Sequence, residues 1–171
     1  IKLTANGEWV VFHDNSVNFR TNGEGNITEM TKEEACKLTI DKGYGLDEYP
    51  DEKIPTLEEA LEECKKAGVV PFIEIKLNDG QKPDYKKLAD IIKNAGCDDV
   101  AISGFKRESL TETKKYLPEA EYWLVISDVT DEAIEFCTAN GIDGIDFDGN
   151  RFRNHDYIEK IHEAGLKSGA W

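Results

Sequence analysis

His13, Glu74 and Lys76 stand where their side chains could do chemistry in this 171-residue chain. His13 closes the apolar run Val10-Val11-Phe12 and opens the turn-rich segment "HDNSVNFRTNGEG". Imidazole can both give and take a proton near neutral pH, so a histidine delivered to the end of a strand is a candidate acid or base. Taken alone, a histidine at a strand end is more often a surface or capping residue than a catalyst, and Asp14 beside it reads better as the start of the following turn than as an orienting partner. The stretch "PFIEIKL", taken with the period of a strand, puts Ile73, Ile75 and Leu77 on one face and Phe72, Glu74 and Lys76 on the other. If the apolar face meets helices, a carboxylate and an ammonium face inward, which is costly unless they are paired, hydrated or bound to a ligand. At the C-terminal end of a barrel strand such a ligand is substrate or metal; the competing reading is a structural ion pair. His155 and His162 lie in or beside a helical stretch without H-E-x-x-H spacing and read as surface groups, and "TNGEG" lacks a following phosphate-loop lysine and reads as a loop hinge.

The elements that must position these groups alternate. Helical patterns end in Ala67-Gly68, Ala95-Gly96, Asn140-Gly141 and Ala164-Gly165, where glycine can adopt the left-handed conformation that closes a helix. "PTLEEALEECKKAG" offers Thr56 as N-cap with Glu59 at the capping-box position, and Leu57, Ala60, Leu61 and Cys64 on one stripe. "DYKKLADIIKNAG" follows with Asp84 as N-cap. Further helices are expected over 108–117, 130–140 and 155–164, and over 31–42 behind the capping pair Thr31 and Glu34. "VVPFIEIKL", "VAISGF", "YWLVIS", "IDGIDF" and "GLKSGAW" read as strands between helices, and Ile1–Thr4 and Trp9–His13 as a hairpin around Asn6-Gly7. Strand–helix alternation implies a parallel sheet with crossover helices. No G-x-G-x-x-G completes a nucleotide site, so a (β/α)8 barrel is preferred over a doubly wound open sheet. A whole barrel takes roughly 250 residues, so this chain is expected to cover an incomplete one.

Bulk properties narrow the partners. With 35 acidic and 21 basic residues the formal net charge is −14, which repels nucleic acid and anionic lipid. No apolar run approaches the ~20 residues needed to cross a bilayer, so membrane insertion is not expected. Cys36, Cys64, Cys97 and Cys137 form no C-x-x-C pair and read as reduced thiols, which favours a cytoplasmic protein.

The segments "LTANGEWVVFHDNSVNFRTNGEGNITEMTKEE", "IPTLEEALEECKKAGVVPFIEIK", "AISGFKRESL" and "GLKSGAW", in this order and spacing, resemble the glycerophosphodiester phosphodiesterase family along nearly the whole chain. The resemblance implies a (β/α)8 TIM barrel that hydrolyses glycerophosphodiesters to glycerol 3-phosphate and an alcohol with a divalent metal, Ca2+ or Mg2+. It implies that His13 is the catalytic histidine of the family's "HD" motif, Glu74 the metal ligand of "EIK", Lys76 a phosphate-binding lysine and Trp171 a residue lining the substrate pocket. The family's other histidine, in "HRG", and its "E-x-D" carboxylates have no counterpart in these residues. Residues 1–171 are therefore expected to be a single domain truncated at both ends, covering roughly strands 2 to 7, with 5–45 a hairpin and loop insertion and the piece itself inactive. The family's arginine after "HD" falls at Phe19, with Arg20 one place later, and its "SSF" appears as Ser103-Gly104-Phe105. Two other functions stay open: a barrel that binds a phosphate ligand without catalysis, and a lysophospholipase D-type phosphodiesterase.

Overall fold

In the computed structural model, which describes residues 1–97 and 99–171, every expected strand forms. β1 (Lys2–Leu3) and β2 (Trp9–Val10) pair as an antiparallel hairpin. β3 (Phe72–Ile75), β4 (Ala101–Gly104), β5 (Glu121–Ile126), β6 (Gly144–Phe147) and β7 (Lys167–Ala170) form one parallel sheet in that order. A doubly wound sheet reverses its strand order at a switch point. Here the order runs through without reversal, and the sheet with its helices is an incomplete (β/α)8 barrel.

The described residues divide into two compact units. The sheet belongs to the unit of residues 70–75 and 99–171, with α4 (Arg107–Tyr116), α5 (Asp131–Asn140), α6 (Phe152–His155) and α7 (Ile158–Glu163). Alternate strand residues bury: Ile73, Ile75, Ile102, Tyr122, Leu124, Ile145 and Phe147 are all buried on one face, against which α4, α5 and α7 pack. The expected helix over 155–164 is instead α6 and α7. Asn154 explains the early start of α6 and its anchoring: fully buried, its side chain accepts from Val129 N at 2.9 Å and donates to Ser127 O at 2.9 Å and Asp148 O at 3.0 Å.

The other unit, residues 1–69 and 76–97, holds the hairpin, α1 (Lys32–Ala35), α2 (Leu57–Ala67) and α3 (Tyr85–Ala95). Thr56 and Glu59 form the reciprocal capping box, Asp84 caps α3 through Lys87 N, and Gly68 and Gly96 close the two helices in the left-handed region. The box at Thr31 and Glu34 also forms, yet α1 lasts a single turn. Beyond it the branched residues Thr39 and Ile40 take bridge positions opposite Lys53 and Thr21, and Leu38 packs on the cluster of Val10, Val17, Ile27, Ala35 and Ile54. Branched side chains favour such extended pairing over another helical turn.

Gly144 on β6 is a tight point of the sheet. A Cβ there would lie 2.6 Å from Cε3 of Trp123 and 2.7 Å from Cζ3, on a ring that cannot bend away. Gly144→Ala is expected to destabilise the protein by about 1–3 kcal/mol through overpacking, read as a fall in the urea midpoint with circular dichroism at low urea unchanged.

Candidate active site

The face of the sheet opposite the apolar one carries the polar and aromatic groups in layers, all within one unit. Pairing aligns Glu74 with Ser103, Ser103 with Trp123 and Trp123 with Gly144, while Asp146 aligns with Gly169. At the N-terminal end Phe72 and Trp123 meet with ring centroids 5.9 Å apart. The Trp123 indole lies across Gly144 and donates to Glu121 Oε1 at 2.6 Å. Glu121 also pairs with Lys167 at 2.5 Å, and this bond holds its carboxyl below the usual range.

Carboxylates occupy the middle. Glu74 is half-buried, as is Asp146, whose carboxyl is pushed up by burial and then by the negative charge of Glu74. Gly169 leaves room for it: a Cβ there would lie 3.0 Å from Asp146 Oδ1. At the C-terminal end Phe105 and Trp171 meet edge to face with centroids 6.1 Å apart, both exposed. Trp171 is tied to β6 and the loop after it, donating through N to Phe147 O and accepting from Gly149 N, each at 3.0 Å. Where the common family pattern has a second serine, Gly104 suits its place, since a Cβ would approach Ile75 O to 3.3 Å.

His13 and Lys76 belong to the other unit. The chain leaving β2 is held by Val11 N donating to Pro55 O at 2.9 Å. His13 follows with its side chain 76% exposed and Nδ1 2.9 Å from Asp14 Oδ1, while Arg20 Nε stands 3.6 Å from Asp14 Oδ2. The bond from His13 is the main reason the Asp14 carboxyl lies below its usual range. Asp14 thus does more than begin a turn, and Arg20 has its own partner while Phe19 is exposed. Lys76 is fixed through its backbone, N donating to Ile1 O at 3.0 Å.

Lys2 and Asp146 were not expected here. Lys2 is 5% exposed, with Nζ donating to Asn15 Oδ1 at 2.7 Å. The period that singled out Glu74 applies equally to "IDGIDF", where Ile145 and Phe147 bury and Asp146 must face the other way. Lys2 carries no comparable signal, being one lysine in a two-residue strand. Among the described residues no group of three or more His, Cys, Asp or Glu side chains is arranged to hold a metal. Glu74 and Asp146 offer the oxygen donors that a hard cation takes, a partial set.

Sequential parallel strands, crossover helices and inward carboxylates define a (β/α)8-barrel protein with an acidic inner face. The chain matches the profile of the Glycerophosphoryl diester phosphodiesterase family over residues 1–171. It belongs to that family. A glycerophosphodiester phosphodiesterase of Caldanaerobacter subterraneus subsp. tengcongensis is 35% identical over 127 residues, covering 73% of this chain and 52% of that protein. Glycerophosphodiester phosphodiesterase 1 of Mus musculus is 39% identical over 77 residues, 44% of this chain and 23% of that protein. The chain thus spans about half the length of the first of these curated relatives, and its alignment covers less than a quarter of the second. Among solved structures, an Oleispira antarctica phosphodiesterase in complex with the product sn-glycerol-3-phosphate superposes with TM-score 0.84 at 23% identity, covering 99% of this chain and 69% of that one. A glycerophosphodiester phosphodiesterase from Agrobacterium tumefaciens gives 0.75 at 23% identity, covering 99% and 72%. These likenesses carry the barrel fold.

Because its folded pKa is raised, ionised Asp146 opposes folding at neutral pH, and the opposition is relieved as pH falls through that pKa. Asp146→Asn is therefore expected to raise the urea midpoint at pH ~7, with the gain over the parent shrinking toward pH ~4, in the carboxylate range.

Proposed function

We propose that the protein in its natural full length hydrolyses glycerophosphodiesters to glycerol 3-phosphate and an alcohol. The observation that carries this reading is the family match over all of residues 1–171, and the inward placement of Glu74 supports it. A phosphodiester resists hydrolysis because its anionic oxygens repel a nucleophile and its alkoxide is a poor leaving group. Both obstacles call for local positive charge and a mobile proton. His13 exchanges the proton with the nucleophile or the departing alcohol. The Lys76 ammonium lies against the phosphate oxygens, and Trp171 gives the substrate an apolar wall. Glu74 would hold a divalent cation, Ca2+ or Mg2+, which when bound would supply positive charge to offset that of the phosphate. At a net charge of −14 the chain offers no long-range attraction to an anion, so these local groups must provide the favourable field. We read residues 1–171 as one domain of this kind, acting on a small-molecule diester rather than nucleic acid. A cytoplasmic site is in keeping with four free cysteines, of which burial pushes the Cys137 thiol up to about 12. Among the described residues no helix is long and apolar enough to cross a membrane.

Turnover of glycerophosphocholine and of lysophosphatidylcholine by the full-length protein tests the reading. The first is expected to be the better substrate; preference for the second would assign a lysophospholipase D-type enzyme, and phosphate-ligand binding without turnover of either a non-catalytic barrel. His13→Ala is expected to lower kcat by about 10²–10⁴-fold. Exhaustive chelation should abolish turnover, with restoration on adding Ca2+ or Mg2+, and Glu74→Gln should weaken binding of the added metal in calorimetry. Residues 1–171 contain the "HD" histidine and not the "HRG" one, so this polypeptide alone is expected to show no turnover in the same assay.

A further inference from the structure

The segment His13-Asp14-Asn15 is gripped by two cations of its own unit. Arg20 Nε stands 3.6 Å from Asp14 Oδ2, and buried Lys2 donates from Nζ to Asn15 Oδ1 at 2.7 Å. The Asn15 backbone is also tied, its carbonyl accepting from Ile27 N at 2.8 Å. Arg20 is itself placed by a short turn. Ser16 caps the 3-10 turn Val17–Phe19 through Asn18 N, Arg20 N donates to Val17 O at 3.2 Å, and Asp41 N donates to Arg20 O at 3.1 Å. Lys42 Nζ then reaches Asn18 O at 2.8 Å and Thr21 O at 3.0 Å, closing the turn from outside.

Asp14 spends its two carboxylate oxygens differently: Oδ2 faces Arg20 and Oδ1 faces His13 Nδ1 at 2.9 Å. A carboxylate can only accept, so the ring nitrogen facing it must carry the proton. Nε2 of the neutral ring is then left with a lone pair. A free histidine side chain in water favours the opposite tautomer, so the contact with Asp14 selects the form that takes a proton at Nε2. We propose that Asp14, held by Arg20 and by the Lys2–Asn15 bond, is a positioning residue that fixes the His13 imidazole as the Nδ1–H tautomer, with Nε2 presented to substrate. This rests on the reading of His13 as the proton-exchanging group. It assigns to Arg20 an indirect role, acting through Asp14 and not on the phosphate.

Asp14→Asn in the full-length protein is the test, read by 15N-edited NMR of the His13 ring and by steady-state kinetics. An asparagine can turn its amide NH2 toward the ring and so favour a bare Nδ1. The parent is expected to show the Nδ1–H tautomer, and Asp14→Asn to move it toward Nε2–H, with kcat down by some part of the ~10²–10⁴-fold that acid–base catalysis supplies and KM little changed. Asp14→Glu keeps a carboxylate and should restore part of both. Arg20→Gln should do less than Asp14→Asn and add little to it, since both act through one carboxylate. Parent His13 in the Nε2–H form, or a tautomer unmoved by Asp14→Asn in a variant of unchanged circular dichroism, would overturn the proposal. A KM rise shared by all three variants with kcat intact would do the same. If His13→Ala retained full turnover, the catalytic reading of His13 would fall, while the NMR result would still decide whether Asp14 sets the tautomer.

Discussion

The constraint from which the rest follows is the two-residue period of strands paired in consecutive parallel order. A parallel strand flanked by helices must bury one row of side chains, and in this sheet the buried row is Ile73, Ile75, Ile102, Tyr122, Leu124, Ile145 and Phe147. Once those positions are fixed, the intervening ones have a single place to go. Glu74, Ser103, Trp123 and Gly144 are thereby aligned across neighbouring strands, with Asp146 two residues further along β6 on the same face, without any long-range device. A one-residue slip of register would exchange the two rows and put carboxylates against helices. The apolar row thus secures the register, and the register places the polar groups.

Much of this was legible because it rests on local rules. The capping boxes at Thr56 and Thr31 form as their spacing requires, and Gly68, Gly96 and Gly141 end helices in the left-handed region. Glu74 could be picked out since its neighbours Ile73 and Ile75 are unambiguous. Asp146 obeys the same rule yet escapes notice, because in "IDGIDF" the alternation is diluted by Gly144 and by Asp143, whose carboxylate turns out to accept from Tyr122 N at 2.7 Å. What was not legible depends on partners far away in sequence. The single turn of α1 is set by bridges to Lys53 and Thr21, and the split of the last helix by Asn154 reaching Val129 and Ser127. The contact of Asp14 with His13 follows from a rotamer choice that residue types alone leave open, and Arg20 comes near Asp14 because a 3-10 turn brings it back.

Two kinds of electrostatic arrangement coexist in the chain, and they differ in what they do for stability. Glu121 on β5 is satisfied twice, by Lys167 and by the Trp123 indole, and its carboxyl is held low. Such a group favours the folded state at neutral pH, although at its exposure the gain is small. Asp146 lies on the same face of the next strand, faces the charge of Glu74 and is pushed up. Among the described residues no side chain is seen to donate to it. The sheet thus neutralises Glu121 at its N-terminal end, while further along Asp146 meets burial and the charge of Glu74.

That asymmetry is hard to explain as packing alone. An asparagine or serine at position 146 would occupy the same space without the charge, and the lack of a Cβ at Gly169, which would lie 3.0 Å from Asp146 Oδ1, eases the fit of the carboxylate. Burial and the like charge of Glu74 both disfavour the ionised form of Asp146, so a carboxylate there costs stability that an uncharged side chain would not. A carboxylate at this position accords with the reading of this face as the reactive one, where oxygen donors have a use that packing does not give them. The apolar row behind the sheet supplies the surplus stability that lets such a face persist, so the outer packing and the inner chemistry are two consequences of one alternation.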